Sequence, residues 1–257
     1  MPPEGFSSTC SQDVSLFFYK KDSQVVYLLV YVDDILVIGN NSQLIDQVVT
    51  DLNNQFALKI LGEVQYFLDF EIQRNAIGLL LAQTKYAQDL LQKAGMKDSK
   101  PCPTRMATGV KLRKENSEMF DQPTLYRSII GDLQYLILSR LDLAFSVNKL
   151  SQFLQSPTVA HWTASKRILQ NVKGTLQHGV IFTRSQKFIL ETYVDANWAS
   201  DINDRKSTSG YTMFVGGNLI QWCPRKQKAA DILIKALPSN RFGLLQDKLN
   251  VTSVLTD

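Results

Sequence analysis

The chain has 257 residues, of which 44% are hydrophobic and 20% are charged, so it can bury one or two cores and is unlike a disordered, collagenous or coiled-coil chain. Its three cysteines cannot all pair in disulfides, and their spacing is not that of a metal site. This favours a reducing compartment over a secreted scaffold. The longest apolar run, Val25–Val32, is far shorter than the roughly 20 residues of a membrane helix. We therefore expect an intracellular protein, cytoplasmic or nuclear, without a membrane partner.

The first predicted elements are three closely spaced β-strands. Runs of β-forming residues cover Ser15–Lys20, Gln24–Val32 and Ile35–Ile38, and short turns separate them. Ser42 is placed to cap the helix that follows, whose apolar residues keep helical spacing. The sequence therefore predicts a strand–helix junction just after an acidic turn at Asp33-Asp34.

The next stretch predicts a hairpin and a helix. Alternation over Phe67–Arg74 and the short run Leu79–Leu81 indicate two paired strands. An amphipathic helix through Tyr86 follows, and Gly95 can end it as its C-cap. Because Pro101-Cys102-Pro103 cannot continue a helix, we place a domain boundary near residue 100.

The remainder predicts a helical layer and then a second β-rich unit. Three apolar stripes with helical spacing lie between residues 126 and 172. Strands are predicted over Val180–Thr183, Lys187–Val194, Gly210–Val215 and Asn218–Trp222, and a helix near residues 232–237. The expected domains are therefore residues 1–100, 101–178 and 179–257.

Charge is distributed unevenly, although a net charge of +4 is too small to establish a nucleic-acid partner. The span from Leu143 to Leu190 contains no acid. Its basic residues are Lys149, Lys166, Arg167, Lys173, Arg184 and Lys187. They can contact phosphates, or they can form an ordinary solvated helix face, and the sequence leaves both interpretations open. His161 and Trp162, in the same span, are interpreted as packing residues in preference to base-stacking ones.

The turn at Asp33-Asp34 carries the strongest chemical signal. Two adjacent carboxylates at a hairpin tip repel each other, and a hard divalent cation removes that penalty. Paired magnesium ions perform phosphoryl transfer in polymerases. A bare Asp-Asp pair is also a favourable turn sequence, so the interpretation depends on its flanks.

Those flanks resemble copia-type retrotransposon reverse transcriptases. The run Leu28 to Val37 resembles the second metal-binding motif of that family. Further matching motifs are Gly62 with Tyr66-Phe67-Leu68, Gln83-Thr84-Lys85-Tyr86, Asp89-Leu90-Leu91, Gly95-Met96, Tyr126 to Gly131, Leu133 to Leu136, His161-Trp162 and Lys173-Gly174-Thr175. Tyr193 to Trp198, Asp204-Arg205, Ser207 to Tyr211 and Trp222 resemble the opening of the family's ribonuclease H domain.

The resemblance implies an α+β fold: a partial palm of antiparallel sheet and helices, a helical thumb and connection, and an incomplete ribonuclease H-like α/β unit. It implies that Asp33 and Asp34 bind catalytic Mg²⁺, with Mn²⁺ as a substitute, and that Tyr31 and Val32 flank the primer end. Asp195 and Asp231 match nuclease acids, although a lone aspartate such as Asp195 can also be a turn former. The implied partner is an RNA or DNA primer–template duplex, gripped by Lys149, Lys166, Arg167 and Lys173.

Departures from the family's pattern predict a disarmed fragment. The family needs a further palm aspartate from a strand on the amino side of the hairpin, and Asp13 does not resemble it. After Trp222–Lys228 the sequence passes directly to Ala230–Leu237, which resembles the end of the nuclease, so we expect an internal deletion near Ala229 and the loss of two nuclease acids. Asp69 also replaces a usual glycine. A non-catalytic nucleic-acid-binding or structural remnant, complementation by another chain, and a reading frame that never accumulates as protein all stay open.

Overall fold

A computed structural model describes residues 6–8, 15–107, 112–113, 117–197 and 208–226. The chain divides into two compact units, residues 1–68 and 69–257. The strands are β1 (Ser7–Ser8), β2 (Leu16–Lys21), β3 (Gln24–Tyr31), β4 (Asp34–Gly39), β5 (Tyr66–Phe67), β6 (Phe70–Arg74), β7 (Gly78–Ala82), β8 (Gly179–Thr183), β9 (Leu190–Asn197), β10 (Thr208–Val215) and β11 (Asn218–Lys226). The helices are α1 (Ser42–Phe56), α2 (Thr84–Lys93), α3 (Pro123–Leu136), α4 (Ala144–Ser151) and α5 (Val159–Gly174).

The first unit is an antiparallel sheet with one helix on it. Its strands lie in the order β1-β2-β3-β4, so each pairs with its neighbour in sequence. Leu28 of β3 is buried against Val48 and Leu52 of α1, which lie four residues apart on one helix face. The alternation of β3 therefore places one set of side chains in the core and turns the next set away from it.

Helix α1 begins one residue earlier than the sequence suggests. Asn41, and not Ser42, is the N-cap, since its Oδ1 accepts a hydrogen bond of 3.2 Å from the backbone N–H of Leu44. The prediction of Ser42 as the cap was therefore wrong. Asn and Ser are equally good caps, so residue type alone does not decide between Asn41 and Ser42. The backbone geometry decides.

The cap assignment gives a direct test. We expect Asn41→Ala to lower the free energy of unfolding by about 1 kcal/mol, because it leaves a helix N–H without its acceptor. The matched variant Ser42→Ala should change it by less than about 0.5 kcal/mol. Urea titration followed by circular dichroism measures both. Equal losses for the two variants would contradict the assignment.

The second unit contains two antiparallel sheets and a helical core. Strands β6, β7 and β8 pair in that order, and β7 meets β8 across about one hundred residues of sequence, with Leu80 opposite Ile181. Strands β9, β10 and β11 form a three-stranded sheet with β10 in the middle. Helices α2 to α5 surround a core whose fully buried side chains include Tyr126, Ile129, Ile130, Leu133, Leu143, Val147, Leu150, Ile168, Leu169 and Val172.

Residues with positive φ mark the end of α2 and the start of β6. Gly95 has a φ of +65°, and the N–H of Met96 donates to the carbonyl of Leu91 at 2.8 Å, which is the closing bond of a Schellman cap. This confirms Gly95 as the stop of α2. Leu68 and Asp69 also have positive φ, +49° and +61°, so the single strand predicted over Phe67–Arg74 is interrupted between β5, which ends at Phe67, and β6, which starts at Phe70. This conformation favours glycine, which agrees with the glycine that the family resemblance implies at position 69.

The coarse fold prediction is confirmed: antiparallel sheets combine with five α-helices in the described ranges. Two of the predicted boundaries, near residues 100 and 178, stay predictions, although the core of the second unit joins α2 to α3–α5 across residue 100. The ribonuclease H-like identity of the last sheet also stays a prediction, and the helix predicted near 232–237 and the deletion near Ala229 lie outside the described residues. Of the helices described here, none is both long and apolar enough to cross a membrane.

Candidate metal-binding turn

The acidic turn joins β3 to β4. Tyr31 and Asp34 are the last paired residues of the two strands, so Val32 and Asp33 form a two-residue hairpin turn. Val32 has a φ of +50°, a costly conformation for a β-branched residue. The six-residue ladder between the strands holds this conformation, so the hairpin fixes the position of both carboxylates.

The turn is open to solvent. Tyr31 is 51% exposed, Val32 is 83% exposed, and Asp33 and Asp34 are both exposed. Since directly opposed residues of a ladder share a face, Asp34 lies on the same side of the sheet as Tyr31. A partner can therefore reach both acids from solvent.

The donor set suits a hard cation. Adjacent carboxylates supply the oxygen ligands that Mg²⁺ and Mn²⁺ take, and solvent access leaves room for water and phosphate ligands. Asp33 and Asp34 can therefore hold such an ion, although two residues are a partial set. In the described part of the chain, no group of three or more His, Cys, Asp or Glu side chains is placed to hold a metal.

The predicted nuclease acids are not brought together in the described residues. Asp195 lies in β9, opposite Gly210 of β10, but its side chain lies outside what the structure describes, as does the whole of Asp231. Their joint site stays a prediction.

The predicted nucleic-acid-binding residues lie on two helices. Lys149 is half-buried near the end of α4, and Lys166, Arg167 and Lys173 lie on α5. Lys166 is exposed, with its Nζ 5.5 Å from the centre of the Trp162 ring. Lys173 follows seven residues later, on the same helix face. Arg167 donates to Thr104 Oγ1 through Nη2 and is half-buried, so it has less freedom to reach a phosphate.

His161 and Trp162 are confirmed as packing residues. His161 is fully buried, its ring stacks on Phe153 with centroids 3.9 Å apart, and its Nδ1 accepts from the backbone N–H of Thr158. Burial lowers the pKa of His161. Trp162 stacks on Phe120 at 5.0 Å. Neither ring is free to stack on a base.

Sequence reasoning missed an ion pair between a buried arginine and a partly exposed aspartate. Arg140 is 3% exposed, and its Nε and Nη2 donate to the two carboxylate oxygens of Asp142 at 2.8 and 2.9 Å. Its Nη1 donates to the carbonyl of Thr175. Arg105 approaches the same carboxylate from the linker at 3.0 Å. The spacing Arg140-Leu141-Asp142 was visible, but nothing in the sequence showed that this arginine is buried.

Comparison with protein-family models identifies the class of protein to which this chain is similar. The family model described as reverse transcriptase (RNA-dependent DNA polymerase) matches residues 6–108, which includes the turn and its sheet. No solved structure matches the chain. The chain thus contains a reverse transcriptase segment.

The relatives then identify the family. The chain is 41% identical over 224 residues to the retrovirus-related Pol polyprotein from transposon RE2 of Arabidopsis thaliana, covering 87% of this chain and 15% of that protein. It is 35% identical over 239 residues to the Pol polyprotein from transposon TNT 1-94 of Nicotiana tabacum, covering 89% and 18%. It is also 40% identical over 205 residues to an uncharacterized mitochondrial protein of Arabidopsis thaliana, covering 79% and 84%.

The chain therefore belongs to the copia-type reverse transcriptases and is a segment related to copia-type Pol polyproteins. It spans about 15% to 18% of the length of the polyproteins cited. The implied substrate class of that family is nucleic acid.

Proposed function

We propose that Tyr31–Asp34 is the metal-binding turn of an RNA-directed DNA polymerase palm, and that this 257-residue chain does not extend a primer by itself. The observation that carries the first part is the exposed pair Asp33-Asp34 at the tip of a fully paired hairpin. The family match over residues 6–108 gives the pair its polymerase context.

Each residue of the turn has a distinct part in this proposal. Asp33 and Asp34 would ligate Mg²⁺ or Mn²⁺, and the paired strands β3 and β4 hold them at the tip. Tyr31 and Val32, exposed beside the acids, would flank the primer end. When bound, the metal supplies charge neutralisation and activation of the attacking hydroxyl.

Lack of activity is proposed because the site is incomplete within the described residues. Two carboxylates meet at the turn, and no third metal ligand of the His, Cys, Asp or Glu type is placed with them there. A two-ion reaction needs more anchoring than two exposed acids provide. The nuclease roles of Asp195 and Asp231 are proposals of the same kind, and residual nuclease activity is not expected.

A second candidate is duplex binding without catalysis. Lys166 and Lys173 lie on one face of α5, and the ring of Trp162 supports the ammonium group of Lys166. Such a face suits phosphate contacts that depend on salt and not on base sequence. Lys149 and Arg167 would contribute from the neighbouring surface.

A primer-extension assay with Mg²⁺ or Mn²⁺, paired with Mn²⁺ titration by electron paramagnetic resonance, tests these proposals on the full chain. We expect no extension, and weak Mn²⁺ binding that Asp33→Asn weakens at least about tenfold, since the variant removes one of two carboxylates. Asp22→Asn is the matched control: Asp22 is an exposed acid in the two-residue turn between β2 and β3, also with positive φ, and its loss should leave Mn²⁺ binding unchanged.

The outcomes separate the candidates. Extension above the level of Asp33→Asn would overturn the proposed inactivity, whereas Mn²⁺ binding equally sensitive to both variants would overturn the metal turn. Duplex binding that falls with salt and with the paired change of Lys166 and Lys173 to glutamate supports the second candidate.

A further inference from the structure

A short segment before and within β9 combines exposure with a symmetric sequence. Residues 187–191 read Lys-Phe-Ile-Leu-Glu, a positive charge and a negative charge flanking three apolar residues. The apolar side chains are unusually open: Phe188 is 84%, Ile189 is 57% and Leu190 is 60% exposed. Lys187 and Glu191 are exposed as well. This apolar stretch therefore lacks the cover that most such stretches have.

The backbone of the segment presents a free edge. Strand β9 pairs with β10 along one side, and the described ranges contain no strand along its other side. The carbonyl of Ile189 accepts from the N–H of Gly216, and both backbone groups of Lys187 bond to Ser185 Oγ. Backbone groups alternate in direction along β9, so those of Leu190 point away from β10, and the hydrogen bond of Ile189 to Gly216 continues this alternation to Phe188, just before the strand.

The sequence is complementary to itself when read antiparallel. If two copies of the segment are centred on Ile189, Phe188 of each copy lies opposite Leu190 of the other. These are the residues whose backbone groups point outward, so each pair can exchange both hydrogen bonds. On the other face, Lys187 lies opposite Glu191 twice, and Ile189 meets its own counterpart. Opposite charges in this position stabilise a strand pair.

We infer that residues 187–191 form an isologous interface with a second copy of this chain, joining two three-stranded sheets edge to edge. A twofold axis at Ile189 pairs the exposed edge and places each apolar side chain beside one from the partner copy. Charge also disfavours a competing register. Centring the pair on Tyr193 instead would place Glu191 opposite Asp195, an acid against an acid.

Charge reversal tests the interface on the full chain. Lys187→Glu creates two acid–acid pairs per dimer, and Glu191→Lys creates two base–base pairs, so each variant should weaken the dimer about tenfold in dissociation constant. Lys97→Glu, an exposed lysine elsewhere in the same unit, is the matched control and should leave it unchanged. Sedimentation equilibrium over a range of concentrations gives the constants.

Mixing the two reversed variants supplies the decisive comparison. Each copy then carries the charge that the other lacks, so K187E and E191K together should form a heterodimer of about the parent affinity, and the double variant should again form a homodimer. Both results also show that the variants are folded. A chain that stays monomeric at every concentration, a dimer indifferent to the single reversals, or a mixture without recovery would overturn the interface.

Discussion

Replacing Asp142 with asparagine is expected to lower the free energy of unfolding of the second unit by about 3 kcal/mol. Arg140 is almost completely buried, and Asp142 is the group that balances its charge with two hydrogen bonds. Asparagine is nearly the same size but can accept at one atom and carries no charge. The guanidinium would then be buried without an anionic partner, which costs more than the pair itself contributes.

The loss should depend on pH in a defined direction. Burial of the Asp142 carboxyl acts to raise its pKa, but the hydrogen bonds and charge of Arg140, and the charge of Arg105, outweigh it and hold the pKa below its ordinary value. A carboxyl whose folded pKa is lowered stabilises the fold above its unfolded pKa, and that contribution disappears as the pH falls through the folded value. The parent and Asp142→Asn should therefore differ most near neutral pH, begin to converge at about pH 4, close to the ordinary pKa of the carboxyl, and meet once the pH lies below the lowered folded pKa.

Arg105→Ala is the matched control for this prediction. It removes an arginine from the same carboxylate, but Arg105 is 45% exposed, so its ion pair should contribute less than about 1 kcal/mol. Urea titration, with the fluorescence of buried Trp162 as one signal, gives the unfolding free energies at each pH. If Arg105→Ala were as damaging as Asp142→Asn, burial of Arg140 would not be the cause.

Leu133→Ala should destabilise the second unit by a similar amount, about 3 kcal/mol. Leu133 is fully buried in the last turn of α3, in the core shared by α2 to α5. Truncation removes apolar contacts and leaves a cavity that the surrounding helices can fill only in part.

Leu138→Ala separates burial from residue type. Leu138 follows α3 closely in sequence but is 49% exposed, so its truncation should cost less than about 0.5 kcal/mol. Differential scanning calorimetry would then show a lowered midpoint for Leu133→Ala and almost none for Leu138→Ala. Comparable shifts would contradict the position of the core.

The strands of the first unit illustrate what a pattern predicts well. Continuous β-forming runs separated by two-residue turns leave few alternatives to a meander, and β2, β3 and β4 start and end within a residue or so of the predicted limits. The acidic turn was predicted from the same pattern, because the β-forming runs of β3 and β4 meet there. The break at Leu68-Asp69 escaped prediction because neither leucine nor aspartate marks a position of positive φ as a glycine would.

Long-range contacts were not predictable from the same kind of signal. The pairing of β7 with β8 and the hydrogen bond from Arg140 to Thr175 join residues that no local periodicity relates. The N-cap of α1 was also not predictable, because Asn41 and Ser42 are equally suitable caps. The path of the chain leaving β4 decides that Asn41 is the cap.

By itself, the sequence determined where strands and helices form and that two carboxylates stand together at a hairpin turn, because periodicity and turn chemistry act over a few neighbouring residues. The tertiary structure decided which charges are buried, which side chains of α5 face solvent, and which strand edge is left open at residues 187–191. Those properties depend on the elements that pack beside each residue, and a linear pattern carries no information about that neighbourhood.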